Sequence, residues 1–367
     1  MGIEGYVVQT RGPHKRVSDD RFLRHGCNAE MDWGRVVAGE YLTPIDSFFV
    51  RSQSTTPVID PRSWRLEITG ASASGPIELD YDTLLSLPAI SYVRALECAG
   101  NGRRFFTPAH GREPIGNQWG FGAIGVARWT GVRLSDVLSF AGVDQTAGYV
   151  TAEGLDAERV SRPLPMWKAR EDDTLIAYGM NGEPLPVDHG RPARLVVSGW
   201  AAIASIKWLG RIRISREPVW TRWNTEVYVL TGRAYPRLDG RPQPVEEQVV
   251  KSALELDWDA ELGAGFQTVT GRAWSPHGTV AAVEYSIDGS SWRPAEMVEP
   301  NLERAWARFR FGWEAAPGRH RVRVRAADDH GNVQPERVAW NDHGYINGGI
   351  IEHPVRVVAS GAGRPGP

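Results

Sequence analysis

SYVRALECAGNGRR, residues 91–104, joins a β-rich run to a turn with two glycines. Val93, Ala95 and Tyr92 suit a pleated, half-buried strand, and the strand runs out at Cys98. Behind it come Ala99-Gly100-Asn101-Gly102 and then Arg103-Arg104. Glycines let backbone approach a bulky ligand closely. A thiolate is a soft ligand for a transition metal, and nearby cations stabilise it. A buried structural cysteine ahead of a glycine turn fits the same pattern.

Outward from this stretch the chain reads as mixed α and β. Residues 1–40 form an irregular lead-in. Phe48–Arg51 and Trp64–Thr69 read as strands. Tyr81–Leu87 reads as a short helix with Asp80 as N-cap, ended by Pro88. Ser135–Ala141 reads as a second helix, with Gly142 just past its end. Asn181-Gly182 is a hairpin signal, and Arg194–Ser198 and Ile206–Ile214 are further strands. No long amphipathic helix is visible, so strands dominate.

Between Tyr235 and Gly265 the texture changes, with Pro236, Pro242 and Pro244 leading into an acidic stretch. The expected division is residues 1–245, residues 246–360 and a disordered Gly/Pro tail, 361–367. The second region reads as all-β. In 307–313 Phe309, Phe311 and Trp313 share one face. In 319–326 His320, Val322, Val324 and Ala326 oppose Arg321, Arg323 and Arg325. Val280–Ile287 before Asp288-Gly289 reads as a hairpin. Several short strands with turn signals in about 100 residues predict an immunoglobulin-like sandwich.

Composition narrows the function. With 42 basic and 44 acidic residues the formal charge is -2, which excludes the basic footprint of a nucleic-acid binder. No apolar run approaches the roughly 20 residues of a membrane span. The N-terminus has no apolar export segment and no twin-arginine pair, so the expected location is the cytoplasm, or the periplasm if the start has been trimmed. The two cysteines, Cys27 and Cys98, are too few for an iron–sulfur cluster, and no C-x-x-C-H marks an attached haem. Only four basic residues are lysines (Lys15, Lys168, Lys207, Lys251) against 38 arginines, a weak sign that lysine is wanted where it survives. An ammonium at Lys207, in an apolar run, needs a partner.

Four ordered blocks carry a resemblance. They are Glu97–Arg103; Trp119–Ile124 with Ala127–Gly131; Asn181–Pro186 with Asp188-His189-Gly190 and Lys207–Arg211; and Ala326–Asn341. Together they resemble the molybdenum-dependent sulfite oxidase and sulfite dehydrogenase family, in its bacterial form without a haem domain. Blocks in order are far more specific than one short motif. The resemblance implies an α+β fold: a sulfite-oxidase-type molybdopterin-binding domain, then an immunoglobulin-like domain through which homodimers form. It implies molybdenum on one pterin, with Cys98 as the protein's metal ligand. Phe49, Val50, Arg51, Ser52, Gln53, Asp156, His189, Arg194, Ser205, Ile206 and Lys207 match cofactor-contact positions. Arg51, Arg103, Trp119 and Tyr228 match the substrate pocket, with Arg104 competing for the place of Arg103.

Two positions depart from the family's pattern. Gln53 stands where members commonly carry histidine. His343 follows Trp340-Asn341-Asp342 where they carry an arginine, and histidine is cationic only below a pKa near 6.5. The anion pocket is therefore less positive. The implied reaction is oxygen-atom transfer to a small reduced sulfur anion, sulfite to sulfate, with electrons passed to an external cytochrome, quinone or other acceptor. The alternatives are a relative acting on a sulfoxide, sulfane sulfur or nitrate, and a cofactor-free binding protein on the same scaffold.

Overall fold

A computed structural model describes residues 8–10, 12–35, 40–70, 75–144 and 146–359. The tail at 361–367 lies outside them. The chain divides into two compact units: Met1–Asp32, Glu40–Gln248 and Ala339–Ile346 form the first; Trp33–Gly39, Val249–Val338 and Asn347–Pro367 form the second. Helices are few and short, and among the described residues none is long and apolar enough to cross a membrane.

The first unit holds two five-stranded sheets. One runs Ser161–Pro165, Tyr149–Gly154, Leu209–Ser215, Arg65–Thr69, Ile77–Asp80. It is antiparallel except where Leu209–Ser215 pairs parallel to Arg65–Thr69. The other places Ala89–Glu97 beside Ile124–Arg133, which pairs with Thr174–Met180; Arg194–Val197 and Glu183–Pro184 also pair with that last strand. The hairpin at Asn181-Gly182 has φ of 54° and 88° at its two turn residues, the left-handed pair that matches strand twist. Asp80 caps the helix Tyr81–Ser86 by accepting the Thr83 N–H at 2.8 Å. The helix Leu134–Phe140 buries Leu134, Val137 and Leu138, a helical stripe, against a core that includes Trp64, Leu66 and Ile212. Trp64 is 1% exposed and donates its indole N–H to the Leu209 carbonyl at 2.7 Å. Trp64→Ala is expected to lose about 3–5 kcal/mol of unfolding free energy, measured by urea titration of the purified protein.

Three sequence expectations need correction. Phe48–Arg51 is no strand: only Val50 pairs, through reciprocal backbone bonds with Ala29. A strand would send Phe48 and Phe49 to opposite faces, whereas both rings stack at 5.3 Å in one buried cluster. The lead-in is partly ordered into strands, Val8–Thr10 beside Thr56–Val58, and a hairpin of Phe22–His25 with Asn28–Met31. The strand expected from Ile206 starts only at Leu209, because Trp208 adopts a left-handed φ of 52° that a strand cannot hold.

In the second unit one sheet runs Lys251–Leu254, Gly265–Trp274, Trp306–Ala315, Glu296–Val298. The other runs Ala260–Gly263, Glu352–Val358, Gly318–Asp328, Val280–Ile287, Arg293–Pro294. Phe309, Phe311 and Trp313 from one sheet share a core with Val322, Val324 and Ala326 from the other, the faces that alternation predicts.

Candidate active site

The backbone ladder delivers Cys98. Glu97 pairs with Ile124 at the end of its strand, and the next N–H, that of Cys98, donates to Ala123 O at 2.9 Å. The chain then turns. The Asn101 N–H returns to Cys98 O at 2.9 Å, and Gly102, at φ 86°, donates to Gly120 O at 2.6 Å. Asn101, fully buried, accepts from the Ala123 N–H and donates to the Glu97 carboxylate. Glu30 steadies the opposing loop by accepting the N–H groups of Gly120 and Gly122. Cys98 is thereby a buried free thiol at the wall of a cleft lined by residues from several separate segments of the first unit.

At the thiol end the cleft is lined by Tyr228, Arg51 and Gln53. Arg51 donates to the Gln53 side-chain oxygen at 2.8 Å and to the Ser52 carbonyl, and Gln53 donates through Nε2 to the Tyr228 hydroxyl. Tyr228 sits at φ 55°; such strain in a non-glycine residue concentrates at functional sites. The Val245 N–H pins its carbonyl at 2.8 Å. Burial raises the Tyr228 phenol above its ordinary pKa, with Arg51 opposing. Tyr345 stacks on Tyr228 at 5.3 Å, and His343 on Tyr345 at 5.3 Å.

Arg103 lies behind this stack. Its guanidinium is 5.1 Å from the Tyr345 ring and donates to the carbonyls of His343 and Asn117 at 2.6 and 2.8 Å. Glycines make the channel. A Cβ at Gly100, Gly116 or Gly344 would come within 2.6, 2.7 or 2.8 Å of the Arg103 side chain. Arg103 is 5% exposed and near enough to Cys98 for the two charges to interact, whereas Arg104 is half-buried over Phe105. Trp119 is buried against His25 at 4.5 Å and does not line the cleft. Neither Arg103 nor His343 lines it directly. Burial and then Arg103 lower the His343 pKa, so its imidazole is neutral near pH 7.

The other end is cationic. Lys207 donates to the Ser52 hydroxyl at 2.7 Å and the Asp188 carbonyl at 2.9 Å. Arg194 donates to the carbonyls of His189 and Ser205 at 3.0 and 2.9 Å. Among the described residues neither meets a carboxylate as a direct ion pair, though Asp188 and Asp156 act on the Lys207 charge. Burial, with Arg194 beside it, pushes the Lys207 pKa down to about 7; burial also lowers that of Arg194. His189 is 2% exposed, and its Nε2 has no hydrogen-bond partner. Burial and then Lys15, Lys207 and Arg194 hold its pKa well below the ordinary value. Phe49, Ser52, Asp156, Ser205 and Ile206 complete this wall. Burial raises the Asp156 pKa, although the carboxylate accepts the Val160 N–H at 3.0 Å. Val50 faces away, and its bridge to Ala29 fixes the 49–53 segment.

Sequence reading missed Tyr345, Asn28, which accepts the Ser52 N–H at 2.7 Å, and Trp208, whose ring lies 4.2 Å from the Lys207 ammonium. It also missed the function of Lys15. That lysine donates to the carbonyls of Ile45 and Phe48, while the N–H groups of His14 and Lys15 both bind the Asp188 carboxylate at 2.7 Å. The scarcity of lysine was the one signal pointing to it.

These residues fit a metal–pterin group with a phosphate tail. The soft thiol of Cys98 stands at one end. At the other stand two buried cations with no direct ion pair among the described residues, for which a dianionic phosphate would supply the counter-charge, and the His189 imidazole beside them.

Fold and site together fit a molybdopterin-binding domain of the oxidoreductase class. Residues 53–223 match the oxidoreductase molybdopterin binding domain and residues 244–356 the Mo-co oxidoreductase dimerisation domain. Chicken sulfite oxidase is 34% identical over 360 residues, covering 92% of this chain and 77% of that protein. Human mitochondrial sulfite oxidase is 36% identical over 330 residues, covering 84% of this chain. Among solved structures, the sulfane dehydrogenase SoxCD from Paracoccus pantotrophus aligns with a TM-score of 0.78 and 30% identity, covering 88% of this chain and 82% of that one. The chain belongs to the sulfite oxidase family, and spans 60% of the length of the human enzyme.

Proposed function

We propose that this chain is a molybdenum-dependent oxidoreductase that oxidises a small reduced sulfur anion, sulfite to sulfate, and hands its electrons to an external acceptor. The observation that carries the reading is one cleft lined both by the buried thiol of Cys98 and by the buried cations Lys207 and Arg194, with His189 beside them. When bound, the molybdenum–pterin group supplies two-electron redox chemistry and an oxygen atom for transfer.

The chain's own residues do the rest. Cys98 holds the metal as a thiolate, which neighbouring cations favour. Lys207, Arg194 and His189 hold the pterin phosphate, with Ser52, Ser205 and Asp156 along its edge. Arg51 and Arg103 draw the anion to the thiol end, where Tyr228 offers a hydroxyl. Gly100, Gly116 and Gly344 keep the Arg103 guanidinium where it is. The second unit is read as the immunoglobulin-like dimerisation domain of a homodimer, and the cytoplasm as its place.

The likeness to a sulfane dehydrogenase, together with a neutral His343 where the family carries arginine, favours a second reading: oxidation of sulfane sulfur. Protein made in a molybdopterin-assembling host should be assayed with sulfite and with a sulfane substrate at equal acceptor concentration. Faster turnover of sulfite supports the first reading, and sulfane-only activity overturns it. On the first reading His343→Arg restores a cation and lowers KM for sulfite by about tenfold, the worth of one charge-assisted hydrogen bond. An unchanged KM would place position 343 outside the anion's reach.

A further inference from the structure

We propose that Gln53 is a positioning residue that fixes the hydrogen-bond direction of Tyr228, leaving the phenol proton to face the cleft. Donor and acceptor chemistry alone leads there. A guanidinium has only donors, so the Gln53 atom at 2.8 Å from Arg51 Nη2 must be its carbonyl oxygen. The amide is thereby oriented, and its NH2 group points at the Tyr228 hydroxyl oxygen. Arg51 Nη2 reaches the same oxygen at 3.5 Å. Both neighbours donate, and neither can accept. The phenol must therefore spend its own hydrogen elsewhere, and Tyr228 lines the cleft.

The arrangement is a one-way relay: Arg51 to Gln53, Gln53 to Tyr228, Tyr228 to whatever oxygen enters. A donor whose direction is set before the ligand arrives needs no reorganisation when charge develops. A neutral imidazole at position 53 can also accept on one nitrogen and donate on the other, so histidine can run the same relay. Glutamate cannot: both its oxygens accept, and the phenol proton would turn back toward it. Leucine removes the relay altogether.

This inference rests on the proposed family activity for its kinetic arm but not for its spectroscopic arm. The experiment uses the holoenzyme with 13Cζ-labelled tyrosine, the Tyr228 signal being assigned by its loss in Tyr228→Phe. Gln53→His should keep the signal within its line width and kcat within about twofold. Gln53→Glu and Gln53→Leu should move the signal. Gln53→Leu should lower kcat about tenfold, the worth of one directed hydrogen bond, and should produce no further loss on a Tyr228→Phe background. Two results overturn the proposal: a Tyr228 signal unmoved in both Gln53→Glu and Gln53→Leu, or an undiminished effect of Gln53→Leu when Tyr228 is already phenylalanine. If the parent oxidises no sulfur anion at all, the proposed activity fails, while the shift of the Tyr228 signal still decides the relay.

Discussion

Cys98→Ser is expected to fold like the parent and to lose activity by roughly a thousandfold or more, about 4 kcal/mol of transition-state stabilisation. The fold survives because Cys98 holds its place through backbone groups. Its N–H binds Ala123 O and its carbonyl accepts from Asn101, and serine keeps both bonds. The side chain contributes only its sulfur to the cleft wall, and a hydroxyl is a harder, far less acidic ligand. Circular dichroism and thermal unfolding should overlay with the parent, while turnover with the preferred sulfur substrate falls to background. Turnover within tenfold of the parent would remove Cys98 from the metal.

Lys207→Met should act at the other end and through a different quantity. Its ammonium is held by a hydroxyl and a carbonyl and makes no direct ion pair among the described residues, although Asp188 and Asp156 favour its charge from a distance. A phosphate dianion would be its natural counter-ion, and a charge-assisted hydrogen bond of this kind is worth about 1.5–3 kcal/mol. Removing it should cut retained cofactor by tenfold or more, read as molybdenum and pterin per chain after gel filtration. The pH dependence has a definite sign. Burial lowers the Lys207 pKa to about 7 in the cofactor-free fold, below its unfolded value near 10.4. Between those values the unfolded chain binds more protons, so stability of the cofactor-free protein rises as pH climbs from about 7 toward 10. Lys207→Met should reduce that rise without abolishing it, since burial puts the Lys15 pKa at about 7 also and lowers that of Arg194 to about 9. Cofactor binding has the opposite slope: phosphate favours the charged lysine, so retention weakens above neutral pH. Full cofactor retention by Lys207→Met would contradict its assignment to the phosphate.

Local rules make much of this legible in the sequence. The strand ending at Cys98, the capped helix after Asp80 and the Asn181-Gly182 hairpin each follow from a few adjacent residues. The same holds for the buried faces of 307–313 and 319–326. What escaped is long-range. Phe48-Phe49 looks like a strand because its residues are β-formers, but a shared aromatic cluster fixes it instead. Trp208 breaks a strand through a backbone conformation that no propensity favours. Tyr345 reaches Tyr228 because Ala339–Ile346 belongs to the first unit, a return with no compositional mark. Lys15 finds Ile45 and Phe48 across a loop. The chemistry-bearing positions were readable through the resemblance, not through pattern. With 38 arginines in the chain, no spacing singles out Arg51 and Arg103.

The most direct test is X-ray absorption at the molybdenum edge on protein from a molybdopterin-assembling host, parent beside Cys98→Ser. The account predicts about one molybdenum per parent chain, with a sulfur shell that loses the cysteine contribution in the variant. A parent without molybdenum, or a sulfur shell identical in the two proteins, would contradict it.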